Sequence, residues 1–177
     1  CSSDLGLVSP ERLGRGGGVV TESIAGATIL VVDDTAVNRR ILRAILERAG
    51  AVVSEAAGGE EALRLVRSGS PDLVLLDVLM PGMDGLEVCS ALKGDSGTSD
   101  VPVIVVSSLG ETADRIRGLS AGAEDYVTKP FDAGEVLARV ATHLRIRRLT
   151  RSLRELNREL TDRQQRIEDD LRAAAEI

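Results

Sequence analysis

From Thr28 onward the chain alternates short apolar runs with segments in which apolar residues recur at helical spacing. Each run is followed by turn residues, a pattern typical of strands buried on both faces of a sheet. The predicted strands are TILVV from Thr28 and residues 51–56, 73–77, 101–106 and 124–128. Strand and helix alternate five times, which predicts a doubly wound α/β fold with a parallel sheet and right-handed crossovers.

The segments between these runs have recognisable helix ends. The first predicted helix runs from Thr35 to a stop at Gly50, and its apolar face consists of Val37, Ile41, Ala44 and Ile45. Further helices are predicted at residues 60–67, about 86–93 and 111–120, and a last helix begins after Asp132 without a stop signal. Residues 1–26 contain six glycines and no sustained periodicity, which predicts a flexible leader.

The composition restricts the class of protein. Tyr126 and Phe131 are the only aromatic residues, so the core must be aliphatic, and the stacking platforms of single-strand nucleic-acid binding are missing. The net charge of −6 argues against a general nucleic-acid binder. No apolar stretch approaches the roughly 20 residues of a membrane span. Cys1 and Cys89 suit neither a disulfide framework nor a zinc site, so we expect a reducing cytoplasm and a core position for Cys89.

Acidic side chains stand at the ends of two predicted strands. Asp33 and Asp34 follow the first strand, and the apolar run of the third strand stops on Asp77. Ligands of open α/β sheets bind beyond the carboxyl ends of the strands, so these carboxylates are expected to converge in one crevice. Converging carboxylates repel one another, so either their pKa values rise or a hard cation lies among them. Mg²⁺, which takes oxygen ligands and keeps several waters, is the expected cation.

Two further groups complete the predicted site. Ser107 follows the fourth strand and Lys129 the fifth. A hydroxyl and an ammonium beside a cation form a receptor for a dianion such as a phosphoryl group, with Asp77 as the accepting nucleophile. Taken singly, the acidic pair can be a helix cap, Ser107 a turn residue and Lys129 a solvated lysine. Suitable groups at four strand ends favour the functional interpretation.

The segment from about residue 28 to residue 146 resembles the receiver domain of response regulators in bacterial two-component signalling. The matching blocks, in the order and spacing of that family, are Asp33-Asp34 in VVDD, Asp77 in LLDVLMPGMDG, Ser107 in VIVVSS, Tyr126 in EDYVTKP, and Lys129-Pro130. The resemblance covers about two-thirds of the chain. It implies a flavodoxin-like, five-stranded parallel sheet in the strand order 2-1-3-4-5.

The resemblance also implies a role for each block. The implied Mg²⁺ ligands are Asp33, Asp34, Asp77 and the backbone carbonyl of Leu79. Asp77 would accept a phosphoryl group from a histidine kinase or a phosphotransfer protein. Lys129 and Ser107 would hold the phosphoryl oxygens, and Tyr126 would change rotamer together with Ser107. The resulting pull on two loops would bias the surface that includes the strand of Tyr126 and the last helix.

The last helix continues beyond the region of resemblance. The stripe that should pack on the sheet ends at Leu144, and a second stripe begins at Leu149, about 140° round the helix. The predicted seam consists of Leu149, Leu153, Leu156, Leu160, Gln164, Ile167 and Leu171. Its spacing of 4, 3, 4, 4, 3 and 4 is an eleven-residue repeat, or equally a heptad pattern with a stutter near Gln164. We expect a parallel two-stranded coiled coil rather than a single helix folded back on the domain.

The arginines at the start of this helix do not indicate DNA binding. Without a second helix pattern or base-reading side chains, ion pairing and solvation are the favoured roles, and no direct nucleic-acid binding is expected. The final residues, IEDDLRAAAEI, resemble the helix that leads into the phosphatase domain of partner-switching regulators. Similar coiled coils precede diguanylate cyclase domains, and either effector would lie beyond Ile177.

The predicted organisation is a leader of residues 1–26, a receiver domain of residues 27–146 and a coiled-coil linker of residues 147–177. The first hypothesis is a phosphorylation-dependent switch that drives a dimeric coiled coil toward a C-terminal output domain. Its own activity would be at most self-phosphorylation and self-dephosphorylation. The alternative is a pseudo-receiver that keeps the fold and dimerises without phosphoryl chemistry. The intact set of Asp33, Asp34, Asp77, Ser107 and Lys129 favours the switch.

Overall fold

The computed structural model describes residues 22–108 and 119–175. The strands in this part of the chain are β1 (Thr28–Val32), β2 (Val52–Ala56), β3 (Leu73–Asp77), β4 (Val103–Ser108) and β5 (Asp125–Lys129). The long helices are α1 (Ala36–Arg48), α2 (Gly59–Gly69), α3 (Gly85–Gly94) and α4 (Ala133–Ala175). The helix predicted at residues 111–120 lies outside the described residues as far as residue 118.

The five strands form one parallel sheet in the order β2-β1-β3-β4-β5. This arrangement confirms the predicted doubly wound, flavodoxin-like fold with a long C-terminal helix. The central strand β3 is buried along its whole length, as its continuous apolar run predicted. Because all strands run in the same direction, their carboxyl ends lie along one edge of the sheet.

Two aliphatic clusters fill the space between the sheet and its helices, because successive strand residues point to opposite faces. One cluster includes Ile29, Leu73 and Leu75 of the sheet, Leu46 of α1 and Leu144 of α4. The other includes Leu30, Val74 and Leu76 of the sheet, Val66 of α2 and Leu92 of α3. Cys89 is completely buried in the second cluster, which confirms its predicted place in the core.

The apolar face predicted for α1 is wrong at Val37, Ile41 and Ala44, whereas Ile45 packs against the core as predicted. Leu42 and Leu46 are buried, whereas Val37 and Ile41 are 60% and 42% exposed. Both pairs are spaced four residues apart, so helical spacing alone cannot choose between them. The helix rotates so that the two leucines face the sheet. Val37 and Ile41 then lie on the solvent side of its first turns.

Strand β4 begins two residues later than predicted and includes Ser107. Pro102 has no N–H to contribute to the ladder, so the strand starts at Val103. At the other end, Ser107 and Ser108 pair with residues of β5. Ser107 is therefore held within the sheet rather than in a following turn.

Packed structure starts before Thr28. Of the predicted leader, residues 1–21 lie outside the described residues. Ile24 is completely buried, and the Gly26 N–H donates to the Gly50 carbonyl at 2.8 Å. The boundary predicted at residue 26 therefore falls within packed structure.

Helix α4 has two different parts. Its first turns pack on the sheet through Val136, Val140 and Leu144, which are all buried. From residue 146 onward its apolar side chains are exposed, including the six leucine and isoleucine residues of the predicted seam. The Gln164 side chain donates to Glu168 at 3.0 Å within the same helix. One continuous helix of 43 residues thus changes from a core element to an exposed rod.

Candidate functional site

Four strand ends meet at the carboxyl edge of the sheet. Asp33 and Asp34 directly follow β1, and Asp77 ends the neighbouring strand β3. Ser107 lies at the end of β4, and Lys129 is the last residue of β5. The fold therefore brings the five residues singled out in the sequence to the same edge.

Lys129 joins the two buried carboxylates of this edge. Its Nζ donates to Asp33 Oδ2 at 2.9 Å and to Asp77 Oδ1 at 3.0 Å. Asp33 is 1% exposed and Asp77 is 4% exposed, so both carboxylates would be costly to bury without a cationic partner. The ammonium group satisfies both of them.

The three acidic side chains form a cluster that could hold a metal ion. One carboxylate oxygen from each of Asp33, Asp34 and Asp77 lies within 4.8 Å of the others. Asp34 is exposed, so the cluster is open to water on one side. Mg²⁺ prefers oxygen ligands and keeps several waters. The donor set therefore fits Mg²⁺.

The surroundings change the proton affinities of Asp77 and Lys129. Burial raises the pKa of Asp77, and the hydrogen bond from Lys129 offsets this effect only in part, while the negative charge of Asp33 adds to it. Burial lowers the pKa of Lys129, but the hydrogen bonds and charges of Asp33 and Asp77 outweigh it, so the pKa is raised. Lys129 consequently remains a cation at neutral pH, as a group that receives developing negative charge must.

Sequence reasoning missed two residues that hold the acidic pair in place. Asn38 Nδ2 donates to both carboxylate oxygens of Asp33, at 3.2 and 3.0 Å. Arg39 Nη1 donates to the backbone carbonyls of Asp33 at 2.7 Å and Asp34 at 3.2 Å. Its Nε pairs with Glu55 at 3.2 Å. Both residues lie early in α1. They could have been found by looking for polar residues in the first turns of a helix that follows an acidic strand end.

The loop after Asp77 is fixed by the start of α3. A Cβ on Gly85 would lie 2.0 Å from the Asp77 carbonyl oxygen, so only glycine allows this approach. Asp84 caps α3 by accepting from the Glu87 N–H at 2.8 Å, and the Glu87 side chain accepts from the Asp84 N–H at 2.9 Å. A backbone hydrogen bond from Leu79 reaches the Asp77 carboxylate. The Leu79 carbonyl stays a predicted metal ligand.

The predicted reporter residues lie on adjacent strands. Ser107 lies in β4 and is 4% exposed. Tyr126 lies in β5 and pairs with Val105 of β4. The Tyr126 ring is partly buried against the cluster on the α2 and α3 side of the sheet. The Arg139 guanidinium lies 5.1 Å from its centroid, a cation–π distance. Tyr126 thus contacts both β4, the strand that includes Ser107, and α4.

The sheet order and the acidic, lysine-bearing pocket at its carboxyl edge define a flavodoxin-like domain with a site suited to a cation and a phosphoryl group. The chain belongs to the response regulator receiver domain family, whose model matches residues 29–141. Receiver domains generally bind Mg²⁺ at an acidic pocket, and they interact with histidine kinases or phosphotransfer proteins.

Individual relatives agree with this family. The chain is 51% identical over 117 residues to the probable transcriptional regulator ycf27 of Porphyra purpurea, covering 66% of this chain and 47% of that protein. It is 44% identical over 129 residues to the response regulator PleD of Caulobacter vibrioides, covering 73% of this chain and 28% of that protein. The crystal structure of NtrX from Brucella abortus superposes with a TM-score of 0.69 at 29% identity, covering 74% of this chain and 29% of NtrX.

The matches share one limit. This chain spans 47% of ycf27 and 28% of PleD, so the likeness concerns the receiver part of longer proteins. Among the described residues, no helix combines the length and the apolar character needed to cross a membrane.

Proposed function

We propose that the protein is a phosphorylation-dependent switch in which Asp77 accepts a phosphoryl group from a phosphohistidine. The observation that carries this proposal is the setting of Asp77 at the end of the central strand. Its carboxylate is buried, lies 3.0 Å from the Lys129 ammonium and belongs to a cluster with Asp33 and Asp34. A nucleophile held in this way has a fixed direction and a cation beside it.

The proposed step is a phosphoryl transfer between two nucleophiles. An Asp77 carboxylate oxygen attacks phosphorus, an O–P bond forms, and the P–N bond to the donor imidazole breaks with its electron pair remaining on nitrogen. We assign Asp33, Asp34, Asp77 and the Leu79 carbonyl as ligands of Mg²⁺, which when bound neutralises charge on the phosphoryl oxygens. Lys129 and the Ser107 hydroxyl are assigned to hold those oxygens in the product.

The exposed part of α1 supports a protein donor rather than a small molecule alone. Val37 and Ile41 are 60% and 42% exposed on the helix that begins directly after the acidic pair. Apolar side chains beside a polar site are suited to contact a partner's surface. We therefore propose that the donor, a histidine kinase or a phosphotransfer protein, docks on this face of α1.

Labelling with a small phosphodonor tests the chemistry. With Mg²⁺ and acetyl phosphate, the wild type should gain one acid-labile phosphoryl group, measured by intact-protein mass spectrometry. Asp77→Asn should gain none, because an amide oxygen is a far weaker nucleophile. Asp162→Asn, on the exposed part of α4, is the matched control and should label like the wild type. Labelling of Asp77→Asn at the wild-type level would refute the assignment, and an unlabelled wild type would favour the pseudo-receiver alternative.

We further propose that α4 transmits the switch as a parallel, two-stranded coiled coil. The six leucine and isoleucine residues of the seam are 53% to 66% exposed in the single chain. Of the four positions that flank the first half of the seam, Thr150, Ser152 and Asn157 are uncharged and Glu159 is acidic. A second copy can therefore approach with few like charges facing one another. The proposed linker consists of residues 147–177 and follows a receiver that ends at residue 146.

An output domain beyond the linker completes the proposal. The relatives are longer than this chain, which supports a further domain but does not identify it. A serine/threonine phosphatase or a diguanylate cyclase remains the proposed effector, on the resemblance of the coiled-coil sequence. An assay of the full-length protein for either activity, with and without phosphate at Asp77, tests this part.

A further inference from the structure

Two arginines of α4 contact the receiver at the edge of the sheet opposite the acidic pocket. Arg147 Nη1 donates to the Pro71 carbonyl at 2.6 Å. The Arg154 guanidinium forms an ion pair with Asp100. Pro71 lies just before β3, and Asp100 lies just before β4. Strand β3 has Asp77 at its carboxyl end, and β4 has Ser107 near its carboxyl end. At their other ends, both strands therefore begin after loops that α4 contacts.

The loop that carries Asp100 is held firmly by the receiver. Lys93 Nζ donates to the carbonyls on either side of Asp100, those of Ser99 at 3.2 Å and Val101 at 2.8 Å. Lys93 also pairs with Glu124 at 2.5 Å, and Glu124 accepts from the Val103 N–H at 2.7 Å. Asp100 is therefore presented to α4 from a fixed support.

The arginines belong to a stripe along one face of α4. Arg147, Arg151, Arg154 and Arg158 are spaced 4, 3 and 4 residues apart. With Ser99, Asp100, Pro102 and Glu124 of the receiver, this basic stripe lines a groove of about 410 Å³. Helix residues two positions apart lie about 160° apart round the axis, so the seam that starts at Leu149 points away from the receiver when the stripe faces it.

We propose that Arg147 and Arg154 form a clamp that docks α4 on its own receiver beyond Leu144 and thereby sets the direction of the exposed seam. The two contacts differ in character. Arg147 is partly buried and donates to a backbone carbonyl at 2.6 Å, so it is the inner contact. The side chains of Arg154 and Asp100 are 59% and 62% exposed, so their ion pair is weak and screened by salt. The outer contact is the one that can open.

This inference does not depend on phosphoryl chemistry. The clamp is a contact within one chain and includes no residue of the acidic pocket, so its failure would leave the proposed function untouched. If it holds, the receiver controls the angle of the coiled-coil segment through a releasable ion pair as well as through the buried stripe that ends at Leu144.

Distances between spin labels test the clamp. Cysteines replace Ser90 on the receiver and Thr161 on α4 in a Cys1→Ser background, and the labelled chain is diluted with excess unlabelled protein. Cys89 can stay, because burial raises the pKa of its thiol to about 11 and keeps it unreactive. Arg154→Glu and Asp100→Arg each break the pair, and the double variant restores it with reversed charges. Arg163→Glu, farther along α4, is the matched control.

The expected result is a change in the distribution of distances between the labels. Each single charge reversal, and 1 M salt on the wild type, should enlarge the population outside the docked distance by roughly two- to fivefold, the shift expected for an exposed ion pair. The double variant should return to the wild-type distribution, and Arg163→Glu should not alter it. Unchanged distributions in both single variants, no recovery in the double variant, or equal broadening by Arg163→Glu would each overturn the clamp.

Discussion

At the scale of single residues, Asp33 is already fully engaged before any cation binds. Its oxygens accept from the Thr35 N–H at 2.8 Å, from Asn38 and from Lys129. A carboxylate has about four lone-pair positions. A cation that uses Asp33 must therefore share or displace one of these donors. The ammonium of Lys129 is the donor that can give way at least cost, because it has Asp77 as a second partner.

Gly85 is the glycine whose lack of a Cβ matters most to the geometry of Asp77. Gly85→Ala places a Cβ against the Asp77 carbonyl and should lower the free energy of unfolding by about 1–3 kcal/mol, the usual cost of overpacking. Urea unfolding would measure the effect. Gly94→Ala is the matched control, because a Cβ there meets nothing within 4 Å, and its effect should stay within about 0.5 kcal/mol. Equal stabilities of the two variants would contradict the close approach.

Asp125 should contribute an acid-sensitive part of the stability. Its carboxylate contacts Arg139 at 2.6 Å and His143 at 3.1 Å. Burial raises the pKa of Asp125, but hydrogen bonds, led by that from Arg139, outweigh it and the pKa is lowered. A carboxyl group whose pKa is lower in the folded state stabilises the fold above its unfolded pKa, about 3.9, and this stability is lost as the pH falls through the folded pKa.

The stability difference between wild type and Asp125→Asn should therefore be present at about pH 5 and shrink below about pH 4. Chemical denaturation across this range would measure it. Asp162→Asn serves as the control variant. A difference that grows in acid would show that the contacts of Asp125 do not favour its charged form.

At the scale of elements, the strands were predictable and the orientation of a helix was not. Residues 29–32 of β1 and 73–76 of β3 are all apolar, because both faces of the sheet are covered there, and a continuous apolar run of that length predicts a buried strand. Helix α1 has two possible apolar faces. Packing against the sheet decides which of them is buried, so local spacing alone cannot select Leu42 over Ile41. The carboxylates could be found from strand ends, whereas the supporting role of Arg39 required the position of Glu55 on another strand.

At the scale of the whole molecule, α4 extends well beyond the part that packs on the sheet. Its 43 residues correspond to roughly 65 Å of helix at 1.5 Å per residue. Most of the exposed part has a leucine or isoleucine at each seam position, and Gln164 interrupts this series. A polar residue and a change of spacing at the same place weaken a coiled coil locally while helping to fix its register. Such a junction can hold two packings of similar free energy.

We therefore predict that Gln164→Leu stabilises the dimer and reduces its response to phosphorylation. The melting temperature should rise, by about 2–4 °C for each kcal/mol gained. Thermal melts of both proteins, with and without phosphate at Asp77, would measure this. Gln165→Leu, off the seam by one residue, is the matched control and should not raise the melting temperature. A Gln164→Leu protein that melts no higher, or that responds to phosphate as fully as the wild type, would contradict the proposed role of the stutter.

The scarcity of aromatic residues has an optical consequence. Tyr126 is the only tyrosine, and the 177 residues include no tryptophan. Almost all intrinsic fluorescence of the protein must therefore come from one ring, which lies beside the strand of Ser107 and under the Arg139 guanidinium. Because the fluorescence of a phenol ring depends on nearby charge and on solvent, a rearrangement between the site and α4 will alter the intrinsic fluorescence of the unlabelled protein. The molecule thus carries a single-position fluorescent probe between the strand of Ser107 and α4.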